Sequence, residues 1–214
     1  MMKILSCLAS ALLLTSTAFA QEAPGKAGSA PGKAGTAPGK AGTAPGKEAA
    51  APSGPPAPAP EFLTATKFFL GSWNCAGTQA AGPWGPEAKS AGKLGFKMDL
   101  NNFFMSVDGN FKMGENKQLF RGVNGYDPTT KKLMRMDWDS MGGAAHLSSP
   151  GWEGDVLTFT GEGMMMGQKM KLRHTMTKKG DKEFTSVFEY APATAPGGTY
   201  SKMGEDVCKK GPGK

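Results

Sequence analysis

The sequence has few of the residues that most often carry catalysis and metal binding. Its 214 residues include three cysteines and two histidines. No C-x-x-C pair occurs, so neither a zinc ribbon nor a dithiol redox centre is encoded. No G-x-S-x-G elbow and no H-E-x-x-H helix is present. Gly161-Glu162-Gly163 followed by Gly167 misses the G-x-G-x-x-G spacing and opens a strand-like segment rather than a helix. The formal net charge is +7, yet there is no Arg-rich helix and no basic-aromatic ladder, so nucleic acid is not an expected partner. Beyond residue 20 no run is apolar enough to cross a bilayer. No long segment repeats its apolar residues with a helical period. These absences leave an all-β chain that is expected not to be an enzyme and to need no cofactor.

What is present begins with an export signal. Lys3 supplies a positive n-region, Ile4 to Leu14 is an apolar run too short to span a membrane as a helix, and Ala18-Phe19-Ala20 is an A-x-A cleavage site. Residues 1–20 therefore read as a signal peptide cut before Gln21, which places the mature chain in the periplasm or outside the cell. Cys7 leaves with the signal. The remaining pair, Cys75 and Cys208, is expected to form a disulfide, because an exported chain with two cysteines meets oxidising conditions. Residues 21–60 follow as a spacer. Ala23-Pro24-Gly25-Lys26-Ala27-Gly28-Ser29 recurs twice, as Ala30 to Thr36 and Ala37 to Thr43, before an Ala/Pro-rich stretch. With nothing large and apolar to bury, the segment predicts a disordered, partly polyproline-like tether spanning roughly 35 Å or more. Its lysines allow weak contact with anionic envelope polymers.

The domain, residues 61–214, opens with a short helical turn over 61–67. It continues into Phe68-Phe69-Leu70-Gly71-Ser72-Trp73-Asn74-Cys75, a strand carrying a G-x-W element. A Trp in such an element either plugs the closed end of a barrel or is an ordinary buried aromatic. Turn signals then recur about every ten residues, among them Asp108-Gly109, Tyr126-Asp127-Pro128, Glu153-Gly154-Asp155 and Lys179-Gly180-Asp181. The segments between them predict strands over 68–79, 89–100, 102–112, 116–126, 131–139, 144–151, 155–162, 166–178, 182–190 and 198–206. About ten antiparallel strands with tight turns favour an up-and-down barrel, which leaves no edge exposed.

The G-x-W strand, Gly125-Tyr126-Asp127-Pro128, Ser140-Met141 and Leu157-Thr158 leading to Gly161 together give residues 61–190 a resemblance to the bacterial domain-of-unknown-function family 1579. The resemblance implies a calycin-like barrel, related in shape to lipocalins and fatty-acid-binding proteins, and says little of activity. The chain departs from the pattern in its Met-rich eighth strand, its two cysteines and an extra C-terminal strand.

Strand alternation sorts the Met-rich segment into two faces. Met166, Met170, Leu172, His174 and Met176 share one face, and Lys169, Lys171, Arg173 and Thr175 the other. The first face predicts the barrel interior, opposite Phe184, Phe188 and Tyr190. Met134, Met136 and Trp138 form a second apolar face, and Phe103, Met105, Val107 and Phe111 a third. With Trp73, these residues are the candidate lining. Three readings of the lining stay open: a packed core with Met filling gaps, a cavity for one small ligand, or a metal or haem site in which His174 and a thioether from a second strand are ligands. If Met136 and Trp138 face in, Arg135, Asp137 and Asp139 face water; in the reversed sense Arg135 and Arg121 meet an acidic ligand head inside. Asp137 and Asp139 share a face at a spacing that suits acid–base work but is common on sheet surfaces. The function expected is an exported binding barrel for a small apolar or amphipathic ligand. The alternative is an envelope-associated structural module whose spacer matters more than its lumen.

Overall fold

A computed structural model describes residues 56–212. The expected signal peptide and residues 21–55 of the expected spacer lie outside the described residues. Residues 56–59 have no regular structure, and the chain turns helical at Pro60.

The helical turn is α1, Pro60–Thr66, with its proline at the first helical position, where a missing N–H does no harm. Eleven strands follow: β1 Gly71–Gln79, β2 Ala88–Asp99, β3 Phe104–Met113, β4 Asn116–Asp127, β5 Lys132–Asp139, β6 Ala144–Ser149, β7 Trp152–Glu153, β8 Val156–Met165, β9 Gln168–Lys178, β10 Glu183–Pro192 and β11 Ser201–Lys210. Ten of them close into one antiparallel barrel. The order runs β6-β5-β4-β3-β2-β1-β11-β10-β9-β8, and β6 pairs with β8 to complete the ring. The two-residue β7 pairs only with the start of β8. Each of the ten barrel strands thus has a partner on both sides, which removes the free edges that favour aggregation.

Burial alternates along the strands, most clearly in β1, β3, β5 and β8. Trp73 and Cys75 point inward from β1 while Ser72, Asn74 and Ala76 face out. The first and last strands lie side by side, and their register sets Cys75 directly opposite Cys208 with the sulfurs 2.02 Å apart, at disulfide distance. The expected pairing of these two cysteines is the arrangement found.

One end of the barrel is shut by aromatics. Trp73 is wholly buried there and its indole N–H donates to the Phe69 carbonyl at 2.6 Å. Its ring packs on Phe184 and Phe68, and Phe69 stacks on Trp152. Helix α1 adds Phe62 and Ala65 to this core and accepts a hydrogen bond from the Trp152 indole at the Ala65 carbonyl. The G-x-W tryptophan therefore sits in the plug. Among the described residues no helix is long and apolar enough to cross a membrane.

Candidate functional site

Above the plug the barrel is hollow. A cavity of about 280 Å³ runs from Phe69 and Phe184 toward the opposite end, lined mainly by apolar side chains. Met105, His174, Met176, Phe184 and Phe188, five of the residues expected inside, border this space. Trp73 lies beneath it in the plug.

The structure corrects the expected lining in three places. First, β5 is turned the other way round. Leu133, Arg135 and Asp137 are buried, while Met136 is 48% and Trp138 46% exposed on the outer surface; Met134 lies half-buried on that same outer side, and only Trp138 touches the cavity, at its mouth. Apolarity alone would have sent the Met and Trp inward. A buried arginine is tolerated because its charge is matched and its donors are occupied. Arg135 Nε lies 2.7 Å from Asp137 Oδ2, its Nη1 meets His174 Nδ1 at 2.6 Å, and the guanidinium sits over the Phe120 and Phe159 rings.

Second, Met166 is not in a strand. Met165 pairs with Gln168, so Met166 and Gly167 form a two-residue hairpin with φ of 49° and 74°, the I′ geometry that matches strand twist. Met166 is 60% exposed at the mouth. Met170, two residues into β9, is half-buried and does not line the cavity. Third, Phe103 ends the turn between β2 and β3 and stays outside the lumen.

His174 is the pivot of a polar belt across the middle of the lumen. Arg135 can only donate, so Nδ1 is the acceptor; Nε2 then carries the proton and donates to Ser186 Oγ at 2.7 Å. The ring stacks on Phe188 with centroids 3.7 Å apart. Burial, reinforced by the Arg135 charge, holds the imidazole pKa well below its ordinary value. Both ring nitrogens are engaged by protein groups, and Met134 and Met136, the sulfurs expected to complete a metal site, lie on the outer side. His174 is thus a tethered neutral imidazole and not a ligand in waiting. Among the described residues no three His, Cys, Asp or Glu side chains gather into a metal-binding group. His146 is exposed on β6.

The belt continues on the far wall. Ser186 is register partner of Asp206 on β11, and Asp206 accepts a hydrogen bond from Ser90 on β2. The intervening β1 residue is Gly77, whose Cβ would collide with the Glu205 carbonyl and lie 2.7 Å from Asp206 Oδ1. A glycine is required for that bridge to cross. Burial raises the Asp206 pKa; the Ser90 hydroxyl opposes the shift and neighbouring Glu205 adds to it. The two aspartates noted for acid–base work are both committed. Asp137 pairs with Arg135, and Asp139 holds the β5–β6 loop through the N–H groups of Met141 and Gly143 and accepts from Gln118.

Arg135 as an inward group, Ser186, Ser90 and Asp206 were absent from the expected lining. Three of these had a signal. Ser186 lies between Phe184 and Phe188 on one strand face. Asp206 is two residues from Cys208 and Ser90 pairs with inward Gly77, so a Cys75–Cys208 bond placed both inside.

Comparison with solved structures supports the same architecture. A crystal structure of Rv2717c from M. tuberculosis superposes with a TM-score of 0.54 at 13% sequence identity, covering 72% of this chain and 99% of that one. At that identity the likeness is one of fold. No curated protein matches the chain. The model of the family described as "Protein of unknown function (DUF1579)" matches residues 64–209, which takes in the helix end, every strand but the last residue of β11, and the polar belt; the chain belongs to this family.

Proposed function

We propose that the protein is an exported, non-enzymatic binding barrel that takes one small apolar or amphipathic ligand in its lumen. The observation that carries this reading is the lumen cavity of about 280 Å³, apolar at its plugged end and crossed by a fixed polar belt. Its volume is near the lower end of the roughly 300–1,000 Å³ usual for ligand pockets, and an apolar space with a few placed polar groups is the usual form of such sites. The commitment of Asp137, Asp139 and His174 to protein partners speaks for binding and against turnover. Export is supported by the residue 1–20 pattern and by the cysteine pair.

The test is fluorescence of N-phenyl-1-naphthylamine with the mature chain, joined to native mass spectrometry of protein from its source. A saturable rise in emission, or a co-purifying small mass, is expected. A lumen that excludes the dye and a protein that flies bare would end the reading.

A second reading is favoured by one feature of the outer surface. Val123 on β4, Met136 and Trp138 on β5 and Met164 on β8 are exposed; Val123 is register partner of Met136, and Trp138 connects to Met164 through Ala144 of β6. Such a patch suits an interaction module at the cell envelope. Val123→Lys with Met136→Lys, both on the outer face, separates the two: dye binding persists under the first reading, whereas envelope association is lost under the second.

A further inference from the structure

Six charged side chains border the cavity among the described residues, and five are accounted for within the protein. Arg135 and Asp137 neutralise each other. Arg173 and Glu189 form a bidentate pair at 2.6 and 2.7 Å. Asp139 is satisfied by two backbone N–H groups and the Gln118 amide. The sixth is Asp206. It is only partly exposed, it borders the lumen, and its one side-chain hydrogen bond comes from the neutral hydroxyl of Ser90. Neither Lys nor Arg pairs with it, although its chain neighbour Glu205 has Lys202 at 2.6 Å on the outside. Among these lining groups two carboxylates, Asp139 and Asp206, have no counter-ion, and of the two only Asp206, with a single neutral donor against three at Asp139, keeps most of its acceptor capacity free.

A desolvated carboxylate with one neutral donor has acceptor capacity to spare, and a hydrogen bond between charged partners is stronger than one between neutral groups. The cavity that this end of the polar belt faces is lined mainly by apolar side chains, so a partner for the carboxylate has to bring both a cation and an apolar body. We propose, building on the reading of the lumen as a ligand cavity, that Asp206 is its head-group site and that the ligand is a small cationic amphiphile, a primary or secondary amine on an aliphatic or aromatic body. The ammonium sits on the Asp206 carboxylate at the Ser90–Gly77 gap and the body lies in the apolar part of the cavity. The burial that lifts the Asp206 pKa is relieved by such a partner. A ligand carboxylate, by contrast, meets Asp206 unmatched and finds Arg135 already paired. The preference runs against the chain's overall charge of +7, which draws anions, so a lumen that selects amines cannot owe it to the general field.

The experiment displaces N-phenyl-1-naphthylamine from the mature chain near neutral pH with three ligands of one chain length: octylamine, octanol and octanoate. Octylamine is expected to displace the dye at a concentration at least about tenfold below octanoate, the worth of one charge-assisted hydrogen bond. Asp206→Asn is expected to remove that gap and leave octanol unchanged. Octanoate displacing as well as octylamine, or a gap that survives Asp206→Asn in a folded variant, overturns the head-group assignment while octanol binding keeps the cavity reading intact. If none of the three enters, the cavity reading falls and this inference with it. Should Asp206→Asn not fold, the wild-type order of octylamine against octanoate decides alone.

Discussion

Neutral His174 makes stability depend on pH, and the size of the effect follows from its surroundings. In the barrel the ring accepts from Arg135 and donates to Ser186, and protonation would set a second cation against a guanidinium 2.6 Å away. The folded pKa is therefore depressed well below the ordinary imidazole value. In the unfolded chain the same residue titrates near 6.5. Below that value the unfolded state binds a proton that the folded state refuses, so stability is full above about pH 7 and falls as pH drops. The loss grows toward about 1.4 kcal/mol per pH unit and reaches about 2 kcal/mol by about pH 5, for as long as the folded ring stays neutral. Asp206 acts in the opposite sense: its raised pKa lets the folded state take up a proton more readily than the unfolded state as pH falls. Comparing the wild type with His174→Gln cancels the Asp206 contribution. Glutamine can still accept from one neighbour and donate to the other, but it does not titrate. In urea unfolding the stability difference between the two proteins is expected to shrink by about 2 kcal/mol between about pH 7.5 and pH 5. A difference that stays constant over that range refutes the reasoning, because it means that the folded ring takes up a proton as readily as the unfolded one and is not held as described.

Two further outcomes follow from other contacts. Cys75→Ser with Cys208→Ser opens a covalent loop of sequence separation 133 and should lower the unfolding free energy by up to about 5 kcal/mol; intact mass before and after reduction checks the bond itself, and two alkylatable thiols in the native protein would contradict it. Arg135→Leu strands the Asp137 carboxylate in the lumen and should destabilise by about 3–5 kcal/mol, whereas Arg135→Leu with Asp137→Leu should recover most of the loss; equal losses in the single and double variants in chemical denaturation would show that the ion pair is not buried as a unit.

Much of the barrel was legible because alternation and turn chemistry are local. Predicted strand ends fall within a few residues of the observed ones for β1 to β5, and Met105, His174, Met176, Phe184 and Phe188 point inward as their two-residue spacing required. β5 was not legible by the same rule. Lys132-Leu133-Met134-Arg135-Met136-Asp137-Trp138-Asp139 is amphipathic in either orientation, and transfer energies favour the wrong one. What reverses it is a partner 39 residues away, His174, whose acceptor nitrogen makes an inward arginine affordable only in three dimensions. Met166 failed for a different reason. The alternation was carried through a turn whose residues, Met-Gly, are not among the usual Asn-Gly or Asp-Gly signals for a left-handed pair.

The hollow interior has its own physical cause, and it lies in the residues that have no side chain. Phe111, Phe120, Leu94 and Val107 all point inward, enough bulk to fill a small barrel. They do not fill it because a glycine lies beside them on the neighbouring strand. Gly92 is register partner of Phe111, and a Cβ there would stand 2.5 Å from that ring. Gly109 is partner of both Leu94 and Phe120, with Leu94 Cδ2 2.9 Å and the Phe111 and Phe120 rings 3.2 Å from where its Cβ would be. Gly122 does the same for Val107, and its missing side chain also makes room for the Asp137 carboxylate. Each large side chain thus lies flat across an adjacent glycine and becomes wall instead of filling. The alternation of small and large residues that normally packs a tapering barrel here runs between strands and lines the lumen. Cavity and belt then have one origin. A further bare position, Gly77, lets Ser90 reach Asp206, and Gly122 makes room for both Val107 and Asp137, so inward glycines both open the space and set the polar groups that face into it.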